Sequence, residues 1–316
     1  MEEYRHQVIS RTIRRGGVLP VLAVACLWMT VSSHAQNRGV YPLGMSAINS
    51  GVMPESTFTC STQFLLYTRD QVKDNEGHTL PVTGNHSVIL DMNTITWVSK
   101  ERILGARYSA SATLPFSKND LTSDIQGNLS AGNGFADSYY LPVILGWSWN
   151  RATVRAMYGF LAPTGRFSAG ANDNVGSGYW THALSTGQTF YLTGNKRLSL
   201  STLQMYEFHT VQEGTGVHPG ETFDLDYSLM YSPARTRRFQ LQGGLAGYEQ
   251  RQTTAKTGPG VSVAASEDRY TINALGFAVL GVFPKRTSVG LKYFKEFANR
   301  ATFQGYSLQV VASIGF

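Results

Sequence analysis

The side chains able to do chemistry are sparse and spread along 316 residues. Asp91, Arg107, Arg155, Glu207, Asp224, Asp226, Lys292 and Glu296, with His209 beside Glu207, are the charged or titratable residues that fall on the polar side of alternating segments. Asp224 and Asp226 share a face, as do Lys292 and Glu296, because residues two or four apart in an extended strand point the same way. Such a set can pair internally to satisfy burial, or line a path for a solute. It does not resemble a catalytic centre. The chain has no G-x-S-x-G elbow, no Walker loop and no H-E-x-x-H. His78, His86, His182, His209 and His218 are dispersed without metal-ligand spacing. "GTGVHPG" (214–220) lacks the Lys-Ser/Thr pair and following helix of a phosphate loop. A hydrolase would need a Ser/His pair at the rim of the fold, around His182 or His209. No catalytic residue, metal or cofactor is expected.

The elements that must position these residues are strands. "FDLDYSLMY" puts Phe223, Leu225, Tyr227, Leu229 and Tyr231 on one side and Asp224, Asp226, Ser228 and Met230 on the other. "LGARYSASATL", "ATVRAMYGF" and "VGLKYFKEF" repeat the pattern around Arg107, Arg155 and Lys292. Twelve segments emerge, over 56–69, 86–99, 103–115, 139–149, 151–162, 179–193, 196–209, 221–231, 237–250, 269–283, 287–298 and 305–316. "LSLSTLQMYEF" switches phase near Thr202, which a bulge would explain, and "NALGFAVLG" is apolar on both faces. Links between segments alternate long and short, as in an up-and-down barrel whose even-numbered turns share one end.

Composition and flanking signals favour a membrane barrel over a soluble sandwich. Charged residues make up only 15% of the chain and glycine 32 residues. The face opposite the apolar one is Ser, Thr, Gln and Gly, whereas a sandwich would expose charge. Tyr139, Trp147, Trp149, Tyr179, Trp180, Tyr231 and Tyr270 lie near strand ends, where interfacial girdles form. Residues 1–35 read as a cleaved signal peptide: basic residues, the apolar run 18–31, then Ser33-His34-Ala35. Cys26 falls inside that apolar run, so the exported chain keeps one cysteine, Cys60, and no internal disulfide. Losing four arginines and two glutamates with the leader lowers the net charge from +6 to +4. The remaining charge is scattered, which excludes a nucleic-acid stripe.

The expected architecture is therefore all-β, a transmembrane antiparallel up-and-down barrel of about twelve strands over 56–316, preceded by segment 36–55, which lies in the periplasm or enters the lumen. At that size the physical expectation is a narrow or partly plugged lumen, lined by Asp91, Arg107, Arg155, Glu207, Asp224, Asp226, Lys292 and Glu296. Pro163, Thr164, Gly165 and Arg166 open a glycine-rich link that could fold over the pore mouth. The terminal segment "GYSLQVVASIGF" would seal the barrel against the first strand, with Phe316 as an assembly signal. Expected partners are the lipid bilayer and lipopolysaccharide, the barrel-assembly machinery during biogenesis, and a small hydrophobic solute. The barrel is expected to be a monomer.

The stretches "LPVILGWSW", "FLAPTGRF", "GYWTHALSTGQTFYLTG", "LSLSTLQMYEFHT", "PGETFDLDYSLMY" and "LQGGLAGYEQRQTT", with the terminal phenylalanine strand, resemble the meta-pathway (MetA-pathway) phenol-degradation family of outer-membrane transporters. The resemblance runs from Leu141 to Phe316, with weaker extensions in "GVMPESTFTCSTQFLLYTRD" and "ILGARYSASATLPF". It implies uptake of aromatic or other hydrophobic compounds, and carries no established set of binding residues. One departure is "TTAKTGPG" after Gln252, where the family pattern implies an aspartate. The alternative is a closed structural or adhesive barrel that binds through its loops.

Overall fold

In the computed structural model the described residues are 39–123, 127–235, 239–284 and 286–316; the leader expected over 1–35, with Cys26, lies outside them. Thirteen strands run in chain order: β1 Phe58–Lys73, β2 Gly84–Ile103, β3 Ala106–Ser123, β4 Gly127–Phe135, β5 Ser138–Ser148, β6 Ala152–Ala162, β7 Thr181–Tyr191, β8 Leu198–His209, β9 Thr222–Arg235, β10 Gln240–Gln252, β11 Thr271–Phe283, β12 Thr287–Glu296 and β13 Thr302–Gly315. Every strand pair is antiparallel, and β2 pairs with both β1 and β3, so the sheet closes. Twelve strands form the barrel. β4 is a local addition on the distal half of β3, from Phe116 to Ser123, while β5 takes the proximal half, from Arg107 to Thr113. The link expected over 116–138 thus contains paired strand; its polar alternation carries no burial signal to read. Among the described residues the one α-helix, α1 (Val263–Glu267), lies in the link between β10 and β11 and is too short to cross a membrane.

The barrel closes between the first and last strands. Phe64 faces Val310 and Leu66 faces Leu308 across β1 and β13, and the Phe316 N–H donates to Phe58 O at 2.8 Å. Closure leaves the twelve barrel strands no unpaired edge, which is what allows a sheet to sit in hydrocarbon. Outward residues are large and apolar: Leu245, Phe277, Val279, Leu291, Val310 and Ile314 all remain exposed on the wall. Trp149 and Phe316 mark the short-turn end, and Trp180 and Phe208 the long-loop end. Tyr179 and Tyr270, expected in the girdles, are instead buried, and Tyr139 faces the interior.

Two expectations about phase change. β8 pairs with β7 and β9 without a register shift, so "LSLSTLQMYEF" has no bulge. Leu203 and Met205 point inward and are buried in the apolar cluster, leaving Thr202 and Gln204 outward. These outward polar groups bond across the strand pair: Thr202 Oγ1 donates to Gln188 Oε1 at 2.8 Å, and Thr186 Oγ1 to Gln204 Oε1 at 3.1 Å. Cross-strand bonding offsets part of the cost of polar groups facing lipid.

Asp91, expected in the lumen, faces outward. Register opposes it to Phe64 and Phe116 on the outer wall and turns Met92 inward onto Leu65 and Tyr67. Its oxygens accept from Thr62 Oγ1 at 3.0 Å and Asn93 Nδ2 at 3.1 Å. "SVILDMNTITW" is apolar on both sides, and what decides its phase is the apolar interior that Val88, Leu90 and Met92 must join.

Leu245 sits midway along β10, opposite Leu229 and Phe277 on the lipid face. Leu245→Arg is expected to destabilise the barrel by about 2–4 kcal/mol, the cost of a basic side chain at mid-bilayer. The check is a lowered urea midpoint for unfolding from liposomes.

Candidate functional site

The interior is occupied by the chain's own N-terminal segment. Residues 39–57 precede β1 and run inside the barrel as turns, with Tyr41, Leu43 and Ala47 buried against Leu203, Met205, Met230, Tyr248, Ala274 and Phe294. Burying each larger apolar side chain stabilises the seated segment by about 1.5–3 kcal/mol. The sequence permits the fit at particular glycines. Gly44 adopts φ +78°, and a Cβ there would lie 2.7 Å from the Phe294 ring. On the wall, Gly187 leaves room for Ser50 O and Gly146 for Met53.

The segment's backbone meets the wall's charges. Glu207 accepts from Tyr41 N at 2.9 Å and Val40 N at 3.0 Å, and also from Thr222 Oγ1 at 2.5 Å. Asp226 accepts from Gly44 N at 2.8 Å, Ser46 N at 3.0 Å and the Tyr41 hydroxyl at 2.6 Å. Lys292 Nζ donates to Gly44 O at 2.7 Å and Met45 O at 2.8 Å. Gln309 Nε2 reaches Leu43 O at 2.8 Å and Ser228 Oγ reaches Ala47 O at 2.6 Å. Further along, Arg155 Nε donates to Ser50 O at 2.6 Å, Gly51 N to Thr189 Oγ1 at 3.1 Å, and Arg107 to Pro54 O at 3.0 Å. Acids take the segment's N–H groups and cations its carbonyls.

Arg107, Arg155, Glu207, Asp224, Asp226, Lys292 and Glu296 therefore do point inward, but they do not chiefly pair with one another. Among the described residues of the interior, the Lys/Arg–carboxylate ion pair is Arg69–Glu296, at 3.4 Å. Glu296 also accepts from Tyr248 Oη at 3.2 Å and Gly305 N at 2.9 Å, so it braces the wall. Asp224 accepts from Gln250 Nε2 at 2.7 Å. His209 is buried and bonds Thr181 Oγ1 at 2.8 Å through Nδ1. The glycine-rich link folds onto buried Asp137, which accepts from Gly165 N at 2.9 Å and from the N–H and hydroxyl of Ser177, each at 2.6 Å. Thr164 donates to Ala136 O and accepts from Ser138 N, while Arg166 pairs with Asp173 at 3.2 Å. Pro163 lies at the strand exit between them. No group of metal ligands occurs among the described residues.

Sequence reasoning missed Tyr41, Arg69, Tyr139, Gln309 and the three methionines Met45, Met53 and Met92. For Tyr41, Met45 and Met53 the available signal was the mixture of Gly and apolar residues in "GVYPLGMSAINSGVM", too apolar for a free linker and too broken for a strand.

The carboxylates and the ammonium that hold the segment lie on β8, β9 and β12, and a cavity of about 220 Å³ lies between the segment and β1 to β6. Met45, Ser46, Met53 and Pro54 of the segment face Gln63, Met92, Thr94, Ser109, Ser111, Thr113, Tyr139, Leu141, Ile144 and Arg155 of the wall. β5 is bulged between Tyr140 and Val143, which turns both Leu141 and Ile144 toward this space. Pro142 occupies the bulge, where a missing N–H costs least.

Asp226→Asn removes the charge that three donors share; charged hydrogen bonds of this kind are worth about 1.5–3 kcal/mol. The expected result is an N-terminal segment that is cut faster by protease added from the short-turn side, in a barrel that still runs as a folded species on unheated gels.

The family model described as "Putative MetA-pathway of phenol degradation" matches residues 69–311. Among solved structures, the chain is similar to the COG4313 outer membrane channel from Pseudomonas putida F1, at 14% identity and a TM-score of 0.68, covering 85% of this chain and 98% of that one. It is also similar to the β domain of the Bordetella autotransporter BrkA, at 10% identity and a TM-score of 0.51, covering 82% and 100%. No curated protein matches the chain by sequence. A matched stretch that spans most of the barrel, on a closed twelve-stranded fold shared with outer-membrane proteins, shows that the chain is a bacterial outer-membrane β-barrel and belongs to the MetA-pathway phenol-degradation family.

Proposed function

We propose that the barrel is a passive channel admitting small hydrophobic or aromatic molecules past its N-terminal segment. The observation that carries this reading is the cavity that the segment leaves unfilled, between Met45, Met53 and Pro54 and the wall of β1 to β6. The cavity's size excludes large solutes, and its mix of thioether, aliphatic and hydroxyl groups suits a small ring better than a sugar. Passage needs no energy source in this reading, since solute would move down its own gradient. The family's link to phenol degradation and the outer-membrane channel among the structural relatives support the same direction.

The same segment also favours a second reading, a barrel sealed by its own N-terminus whose loops do the binding. Proteoliposomes separate the two. Protein-dependent flux of benzyl alcohol, reduced to the level of protein-free vesicles by Ser111→Trp, is the outcome the channel reading expects, because the indole would fill the cavity from β3. Flux that is absent in the wild type, or untouched by Ser111→Trp, favours the sealed barrel.

A further inference from the structure

The cavity beside the N-terminal segment carries charge of one sign. Hydroxyls of β1 to β3 and the thioethers of Met45, Met53 and Met92 line it, no aspartate or glutamate does, and its charged group is Arg155. Arg155 gives one of its five N–H donors to Ser50 O. Among the described residues its other four donors meet no protein acceptor, and it forms no ion pair. β3, β5 and β6 explain its placement. Gly146 of β5 pairs with Arg107 on one side and Arg155 on the other, so the two guanidinium groups flank a position without a side chain, over which Met53 lies.

Two lining residues carry a buried neutral group that is unsatisfied. Ser109 Oγ is fully buried and Tyr139 Oη is enclosed, and neither has a hydrogen-bond partner among the described residues. Arg155 is half-buried, and a partly desolvated cation without a counter-charge favours an anion that can accept several donors at once.

We propose that this cavity binds the carboxylate of a small monocyclic aromatic acid, with Arg155 taking the carboxylate and Met45, Met53 and Leu141 packing on the ring. This deepens, and rests on, the channel reading above. The planar guanidinium matches a carboxylate in two-point geometry, which an ammonium cannot do. Methionine sulfur makes favourable contact with aromatic rings. The volume also suits: an apolar cavity of about 150 Å³ accepts benzene, so 220 Å³ accommodates one ring and one carboxylate.

The test is titration calorimetry on the full barrel in detergent, with benzoate, acetate and benzyl alcohol as probes. Wild type is expected to bind benzoate roughly tenfold or more tighter than either other probe, a difference of about 1.4 kcal/mol. Arg155→Gln is expected to erase the preference for benzoate over benzyl alcohol, and Arg155→Lys to keep part of it. Ser228→Ala loosens the N-terminal segment at Ala47 without touching the cavity, and is expected to leave the preference intact. Equal affinities for benzoate and benzyl alcohol in the wild type overturn the proposal, as does a preference that survives Arg155→Gln or disappears equally in Ser228→Ala. Flux in liposomes keeps the two readings apart. Benzyl alcohol passage without benzoate binding overturns the anion site and leaves the channel standing, whereas benzoate binding without flux of either probe supports the site and counts against the channel.

Discussion

The backbone of residues 39–54 is the counterpart of the lumen's charges, and the interior is arranged around that match. A carboxylate or ammonium enclosed by a barrel must find a partner, or the barrel must let in water. A peptide chain offers N–H groups and carbonyls in equal number, so acids and cations can both be satisfied without touching each other. Glu207 and Asp226 take the donors of Val40 to Ser46, and Lys292 takes the carbonyls of Gly44 and Met45 within the same turn. Those charges hold an internal ligand. They are therefore not the lining of a water-filled pore, even though they occupy its position.

The same segment explains where strand alternation could and could not be read. On β6, β9, β12 and β13 the lumen face is polar and the lipid face apolar, so Arg155, Asp224, Asp226 and Lys292 were legible as inward residues from period two alone. On β2, β8 and β11 the inner face is apolar because it packs on the segment or on residues that do: Met92 joins Leu65 and Tyr67, Leu203 joins Leu43, and Ala274 and Ala278 make room for Tyr248 and Phe294. There the contrast between faces vanishes or inverts. Asp91 faces lipid, and β8 passes Thr202 without a bulge, for one physical reason: the lumen contains protein. The closed twelve-strand architecture is legible all the same, because link lengths and closure depend on the strands' number, not on the polarity of any one face.

The segment is seated asymmetrically, and this gives the remaining space its character. The acids of the interior cluster on β8, β9 and β12, where the backbone covers them. The uncovered wall from β1 to β6 has hydroxyls, methionines and an arginine. Segregation of this kind could not be read from one sequence, because it depends on which side of a cylinder each strand falls and on the bulge that turns Leu141 and Ile144 inward together. A solute beside the segment meets a field set by Arg155, although the barrel as a whole carries acids and bases in similar number.

The attachments along the segment also differ in what it costs to undo them. Lifting Gly44 to Ser46 would uncover Asp226 and Lys292 together, each fully enclosed, and leave opposite charges without partners; that loss is several kcal/mol per ion in a low-dielectric interior. Between Asn49 and Pro54 the ties are to an amide, a hydroxyl and two guanidinium groups, and the two arginines flank a glycine over which Met53 lies. Arg155 belongs to both systems, bonded to Ser50 O and lining the cavity. A carboxylate is a stronger acceptor than a peptide carbonyl, so an anion reaching that guanidinium competes with the segment for it. Whatever enters the cavity is thus linked, through one side chain, to the half of the segment that can yield at least cost.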